Sequence, residues 1–554
     1  MHTESTNTRP WFTRDEEKTG KDGKSYVVTI RLCTPVSIEE SVINEDTPNR
    51  DRILRLKYLD EEEKTQFVDL PASIAVKASG NELISRLRAL GILMTKDGIH
   101  HLIEMVRENQ PPDAIHQYSH LGWRDDFFLC PNGEAVNTNR HVEILTSRPK
   151  EYIAKNGTLE GWKNAAHHAS QHYHFGLAVC LSFVGVLIDL LKIDTVVVVF
   201  TGESSYGKST SQKIGASAWG DAREGKGQFV SCLATSNATE ALLEHASGSY
   251  LGMDEAAHMD GKQLKSFIFG SSGGTGKTRL NQHAEVKQTR SWNTIATMSS
   301  EHGVAQKLRA DGENLPGGVT VRTMEVSYDD MPSLPGDEMA RIEAAFDNVG
   351  HAGAKFARQV VDDGYVTDRE RLRGELAAIA QEIAGKDATS QLRRAAMIPA
   401  LVQKAGEIAK RCGLLPAEFD PAAVAHKMWA GALASDIAPA SNHERALNAL
   451  RLSILTRKDV DIVPLDGDAN RPRVGWYLND EPYGEDVFVI PTNEADKLSG
   501  GVLEGKSLGK ALAAADMLVL PKSGKGNAHD YIKGLGKVRS YIIKASAVEG
   551  DARP

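Results

Sequence analysis

The chain has 554 residues, length for roughly three to four domains. Its apolar content of 41% and charged content of 25% are ordinary for a soluble globular protein. A formal net charge of −9 excludes a general attraction to nucleic acid, so any contact with a polyanion must come from local basic patches.

The first stretch, MHTESTNTRPWFTRDEEKTGKDGK, has no apolar run of the kind an export signal carries. The five cysteines (Cys33, Cys130, Cys180, Cys232 and Cys412) are scattered, with no C-x-x-C pair. They point to a reducing cytoplasm and away from a disulfide framework or a zinc site. Residues 1–150 alternate β-like runs (Tyr26–Leu32, Phe67–Pro71) with helical stretches (ELISRLRALGI, HHLIEMVREN) and a hairpin-like GWRDDFFLCPNGEAV. They read as an α+β accessory domain without a catalytic constellation.

A histidine cluster follows: His167, His168, His172 and His174. His168 and His172 have i,i+4 spacing, but no H-E-x-x-H arrangement and no third ligand accompany them, so they read as solvated or packing residues. Phe175–Leu191 is apolar enough to resemble a membrane span. It is short for one, contains Asp189 and runs straight into a strand, so a buried helix is expected. Val196–Phe200 is a buried strand of a parallel sheet, and Gly202–Ser209 then matches G-x-x-x-x-G-K-[ST] at every fixed position. In such a loop Gly202, Ser204, Ser205, Tyr206 and Gly207 curl backbone N–H groups round a phosphate. Lys208 reaches the outer phosphates, Ser209 faces Mg²⁺, and Thr210 continues into a helix whose positive end meets the anion.

Next, Tyr250–Met253 reads as a short strand ending in Asp254 and Glu255, some 45 residues after the loop. Asp254 suits the Mg²⁺ shell, and Glu255 suits orienting or deprotonating an attacking water. Gly270–Thr278 ends like a second phosphate loop, but its first glycine is one residue early and Ser271 stands where glycine is required. SFIF before it is a thin strand at best. Six Lys/Arg lie between Lys262 and Arg290, so the region reads as a flexible basic hairpin in which Lys277, Arg279, Lys287 and Arg290 contact DNA. A strand over Asn293–Met298 follows, with Ser299 and Ser300 as candidates to sense a terminal phosphate. Arg309 and Arg322 are candidates for an arginine supplied across a subunit boundary, and Arg322 is taken as the catalytic one.

Residues 336–440 are Ala-rich and helical, a bundle suited to cover the nucleotide domain as a lid. Residues 441–554 change character: a helix-like SLGKALAAADMLV, then a Gly-rich basic hairpin closing in a strand, the outline of a winged helix. Eight Lys/Arg fall between Lys506 and Lys544, with Lys522 and Lys525 placed to touch nucleic acid.

These residues resemble the bacterial and phage ATPase family known as domain of unknown function 927, helicase-like proteins of mobile elements. GESSYGKSTSQKIGASAWG is similar to that family's phosphate loop, and ATSNATEALLEHASGSYLGMDEA to its segment leading into Asp-Glu. SWNTIATMSSEHG and GGVTVRTMEV are similar to its later strands. Gly252 stands where the family usually has a bulky apolar residue. The resemblance implicates Gly202, Gly207, Lys208, Ser209 and Thr210 in nucleotide binding, and Asp254 and Glu255 in Mg²⁺ and water handling. The fold expected is α/β: a P-loop AAA+-like parallel-sheet ATPase core at 151–335, after an N-terminal α+β domain at 1–150. A helical lid at 336–440 and a winged-helix-like domain at 441–554 complete it. The expected protein is a cytoplasmic, ring-forming (hexameric) ATPase that uses ATP and Mg²⁺ to drive single-stranded or forked DNA, in replication of a mobile element or phage. The alternative is an ATP-switched scaffold or protein remodeller without DNA translocation.

Overall fold

A computed structural model describes residues 10–549, apart from 47–49, 51, 77–79, 109–110, 112–113, 145–154, 234, 278–288, 314–316, 387, 436, 438–441, 466–473, 480–482, 502, 523–525 and 533–534. Its contacts divide the chain into two units, Met1–Tyr152 and Ile153–Pro554.

In the first unit, Phe12–Thr19 and Ser25–Cys33 form an antiparallel hairpin. A mixed five-stranded sheet orders Val142–Ile144, Ala114–Tyr118, Val36–Asn44, Arg52–Leu59 and Thr65–Pro71 side by side. Helices Asn81–Ala89 and Lys96–Glu108 bury Leu83, Leu87, Leu102 and Val106 with Val36, Leu54 and Leu56 of that sheet. Arg55 holds three carboxylates, Asp69 at 2.8 Å, Glu143 at 2.8 Å and Glu40 at 3.0 Å. The GWRDDFFLCPNGEAV stretch forms a three-stranded antiparallel sheet of its own.

The second unit begins with helices α1 (Leu159–Ser170) and α2 (Tyr173–Leu191). It continues through β1 (Val196–Thr201), α3 (Lys208–Ser217), β2 (Phe229–Ser231), α4 (Ser236–His245), β3 (Tyr250–Asp254), α5 (Gly261–Ser272), β4 (Ile295–Ser300), α6 (Val304–Ala310) and β5 (Thr323–Ser327). The strands form one all-parallel sheet in the order β2-β3-β4-β1-β5. Alternate residues serve opposite faces, as the pleat requires. Val197, Val199, Leu251, Met253, Ala296 and Met298 join Leu264, Phe267 and Ile268 of α5 and Leu308 of α6 in one core cluster. Toward the other face Phe200 meets Tyr328, their ring centroids 5.1 Å apart. Buried on both faces, β1 reads as a continuous apolar run.

Helix α2 is the one described helix long and apolar enough to cross a membrane, and its apolar window is buried entirely within the fold. It packs against α3 and strands β3 and β4, and also against the later helices, so it has no polar face to keep. Gly185 lets it in: a Cβ there would lie 1.7 Å from the Ser249 carbonyl oxygen. Gly185→Ala is therefore expected to destabilise the unit by about 1–3 kcal/mol, read as a lower denaturation midpoint with unchanged slope.

Two expectations for this region are corrected. SFIF (266–269) is helical: Asp260 and Gln263 form a reciprocal cap, and Leu264, Phe267 and Ile268 recur at helical spacing. The strand expected over Asn293–Met298 runs instead from Ile295 to Ser300. Asn293 is occupied before it, its side-chain amide donating to the Ile193 carbonyl at 2.8 Å. Gly252 does not interrupt β3, and a Cβ there would press to 3.3 Å from that of Gln212 on α3.

From Gly336 the chain is helical: α7 (Gly336–Glu343), α8 (Ala352–Asp362), α9 (Arg369–Ala384), α10 (Met397–Arg411) and α11 (Pro421–Ala434). Helices α8 to α11 pack on α2. After α12 (Asn442–Arg457) a four-stranded sheet orders β6 (Ile462–Pro464), β7 (Gly475–Leu478), β8 (Val487–Pro491) and β9 (Ser540–Lys544). Helix α13 (Thr492–Leu498) and α14 (Gly505–Ala514) lie between the last two strands in sequence. Leu508 and Leu512 of α14 share a core with Leu450 of α12, Phe488 and Ile543.

Candidate functional site

A cleft of about 880 Å³ opens where β1, β3 and β4 reach their carboxyl ends, the edge at which parallel sheets place ligands. The 202–207 loop borders it, with Ser204 to Gly207 among its lining residues. Gly202 (φ 131°), Ser205 (φ 70°) and Gly207 (φ 85°) take left-handed conformations that fold the loop into a concavity before α3 begins at Lys208. Gly207 is required on two counts: its φ, and the Phe175 ring, which a Cβ would approach to 3.2 Å. Lys208 Nζ donates to the Gly202 and Glu203 carbonyls at 2.6 and 2.5 Å. Burial pulls its ammonium pKa below the ordinary lysine value, while Glu301, Asp329 and Asp254 act in the opposite sense.

One carboxylate organises the opposite wall. Asp254 Oδ1 accepts hydrogen bonds from Ser209 Oγ at 3.0 Å and from Ser299 Oγ. The next backbone N–H, that of Glu255, donates to Asp254 Oδ1 at 3.1 Å and to Ser299 Oγ at 2.9 Å. These bonds hold Glu255 at φ 59°, ψ 53°, a left-handed conformation that costs a non-glycine residue of order 1–3 kcal/mol. Its carboxylate lies 2.9 Å from His258 Nε2. Behind the pair, the buried Gln212 amide donates to the Met253 and Thr297 carbonyls at 2.8 and 3.1 Å, tying α3 to both β3 and β4.

The fold thus brings Lys208, Ser209, Thr210, Asp254, Glu255, Ser299 and Ser300 to one cleft, with Ser204, Ser205 and Tyr206 on its rim. The two serines differ: Ser299 joins the acidic pair, whereas Ser300 Oγ donates to the His302 carbonyl at 2.7 Å. Arg322 is not brought there. It precedes β5, level with Val197 at the amino end of β1, whereas the loop leaves from the carboxyl end. Five residues of strand, roughly 16 Å, separate the two edges. Its guanidinium lies 3.9 Å from Asp194 and donates to the Gly318 carbonyl at 3.3 Å. Arg309 is exposed on α6.

The Gly270–Thr278 stretch lacks the context of a phosphate loop, since Gly270, Ser271 and Ser272 form the last turn of α5. Beyond it Thr275 bridges antiparallel to Ser291, and Gly276 N donates to the Arg290 carbonyl at 2.8 Å, so two legs of a hairpin are in place. Lys277 is exposed on one leg. Arg290, on the other, sits 3.6 Å from Glu244. Arg279 and Lys287 lie outside the described residues, as does Lys525, while Lys522 is exposed.

Among the described residues no group of three or more His, Cys, Asp or Glu could hold a metal ion by itself. The histidines have protein partners instead: His168 and His172 lie 3.2 and 3.6 Å from Glu338, and His174 lies 3.1 Å from Asp330. Four cysteines are buried, and burial raises the thiol of Cys33 to about 11, that of Cys232 to about 12, and that of Cys180 as well.

Sequence reasoning missed Glu301, which accepts from Ser204 Oγ at 2.6 Å, and His258. It also missed the strap after β5, whose residues Met331 to Leu334 line the cleft with Met339 of α7. The signals were local: Glu301 follows the two serines, and Pro332 and Pro335 mark the strap as a rigid turn.

The family profile described as Domain of unknown function (DUF927) matches residues 8–291. No curated protein sequence matches the chain. Among solved structures, one titled "SCCmec type IV Cch - active helicase" superposes with a TM-score of 0.67 at 15% identity, covering 96% of this chain and 97% of that one. That likeness is one of fold. A structure titled "The A form apo structure of NrS-1 C terminal region-CTR" gives a TM-score of 0.32 at 8% identity over 91% of this chain and 95% of that one, too low to carry an argument.

Proposed function

The chain belongs to the family described as domain of unknown function 927, and from that premise and the cleft we propose that it is a P-loop ATPase of AAA+ type acting as a DNA helicase. The observation that carries this is the meeting of Ser209, Asp254, Ser299 and the Glu255 backbone across the 202–208 loop. The strand order supports it, because β4 lies between the loop strand and the Asp-Glu strand and so brings a polar tip between them.

Lys208 and the first turn of α3 would hold the outer phosphates of ATP, and Glu255 would orient water on their open side. Ser209 and Asp254 would hold Mg²⁺, whose charge offsets that of the phosphates. Two neighbouring oxygens suit a cation that takes most of its shell from water and substrate, so no all-protein cage is needed. Ser299 is favoured over Ser300 as the group reporting on the terminal phosphate.

Arg322 lies too far from its own cleft to serve it, which fits a role toward a neighbouring subunit's site in a ring, a hexamer by the resemblance. The hairpin after α5 and the C-terminal unit, with Lys506 and Lys510 exposed on α14 and Lys522, Lys537 and Arg539 exposed beyond it, are the proposed DNA contacts. In this reading the last 110 or so residues act as a winged-helix-like module, and mobile-element replication is the setting.

The direct test is ATP turnover with and without single-stranded DNA. Stimulation supports a helicase, and a rate indifferent to DNA points to an ATP-driven remodeller. Lys277→Ala with Arg279→Ala is expected to weaken DNA binding with little sequence dependence and to lower the salt slope by about two, leaving basal turnover intact. Normal binding at two salt concentrations would remove the hairpin from the DNA path.

A further inference from the structure

A cleft of about 880 Å³ is larger than a triphosphate requires and lies within the range of whole-ligand sites. Its phosphate end is polar. Its other end is formed by Phe175 of α2, by Met331, Pro332 and Leu334 of the strap between β5 and α7, and by Met339 of α7. The two ends are contiguous: a Cβ on Gly207 would meet Phe175 at 3.2 Å and the Met331 methyl at 3.7 Å. Phe175 and Met331 are buried, Leu334 and Met339 are half-buried and Pro332 is exposed, so the strap presents apolar atoms to the cleft. The one polar side chain it adds there is that of Ser333.

The strap is held at both ends by the histidine cluster. At its start Asp330 lies 3.1 Å from His174 Nε2 and 3.1 Å from Lys427 Nζ of α11. Just past its end, on the first turn of α7, Glu338 faces His168 and His172 at 3.2 and 3.6 Å. Met331 N donates to the Tyr328 carbonyl at 3.0 Å, closing the turn that leaves β5. An apolar surface fixed on both flanks beside a phosphate loop is suited to a flat ring attached to a phosphate chain.

We propose that Phe175, Met331, Pro332, Leu334 and Met339 form the base site of this cleft, and that it takes purine nucleoside triphosphates by their ring faces. The proposal rests on the phosphate reading of the 202–208 loop. With almost no side-chain donor or acceptor along the wall, adenine and guanine are distinguished weakly. A site that reads a hydrogen-bonding edge rejects the wrong partner by about 10⁴–10⁵, whereas apolar contact discriminates by about 10–200-fold at most.

The test uses three probes, ATP, GTP and inorganic tripolyphosphate, on the full chain with Mg²⁺. Wild type is expected to bind ATP and GTP within about tenfold of one another. Leu334→Ala with Met339→Ala should lose about tenfold or more for both nucleotides while binding tripolyphosphate within twofold of wild type, which also shows that the variant is folded. Met339→Leu, which conserves volume, should bind ATP as wild type does. An unchanged ATP affinity in the double variant, or a thousandfold preference for ATP over GTP, overturns the base site. Failure of the phosphate reading looks different: tripolyphosphate would then bind Lys208→Ala as well as it binds wild type.

Discussion

Lys208→Ala is expected to abolish measurable ATP binding, a loss of at least a hundredfold, while Lys277→Ala leaves it nearly unchanged. Lys208 is 8% exposed, and the hydrogen-bonding partners of its ammonium are two loop carbonyls. Buried charge that holds only neutral oxygens is poised to exchange them for anionic ones, which attract it more strongly. A hydrogen bond to a charged group contributes about 1.5–3 kcal/mol, and two of them to phosphate exceed the roughly 2.7 kcal/mol of a hundredfold change. The depressed pKa points the same way, because a phosphate would restore the charged form that burial disfavours. Lys277, by contrast, is exposed on a hairpin leg that follows a helix, with no strand before it. Arginine at 208 should not rescue binding, since its planar fork replaces a compact charge. The measurement is nucleotide titration, with far-UV circular dichroism to confirm folding. Retained ATP binding in Lys208→Ala would sink the whole assignment.

Glu255→Gln is expected to bind ATP as wild type does and to lower turnover by about 10²–10⁴-fold, the range a positioned general base contributes. The backbone N–H bonds to Asp254 and Ser299, not the carboxylate, fix this residue's left-handed conformation, so the amide should keep the local fold. The side chain itself is exposed and touches His258, which leaves it able to turn toward a water over the phosphates. A drop in the rate constant with unchanged affinity is the signature of a group that acts only in the transition state. ATP should accumulate on the enzyme. An unaltered rate would make the Asp-Glu pair structural.

The elements legible in the sequence were those whose information is local. Four valines and a phenylalanine can be buried on both faces only in the middle of a parallel sheet, and β1 is there, between β4 and β5. The apolar α2 was readable as core because Asp189 and its length argued against lipid, and the fold buries it on all sides. The phosphate-loop motif was readable because its glycines are demanded by backbone conformation: Gly202 and Gly207 both have positive φ. The misreading of SFIF has the same root. Four residues carry too little periodicity to tell a strand from a helix, and the Asp260 cap six residues upstream decided it.

What the chain alone determined, then, is the chemistry within reach of a few neighbours: which loop is concave, which lysine and serine follow it, which strand ends in two acids. Only the tertiary structure decided which of these meet. Ser209 and Asp254 are 45 residues apart and bonded at 3.0 Å; Ser299, not Ser300, closes the group; Arg322 falls on the far edge. The histidines, ambiguous in sequence, became fasteners for a strap some 160 residues away, because their partners Asp330 and Glu338 lie on an element that folds back over α1 and α2. Motif spacing records what the backbone must do at one place. The register of strands and the return of distant segments depend on how every buried face is satisfied at once, and no short stretch of sequence contains that.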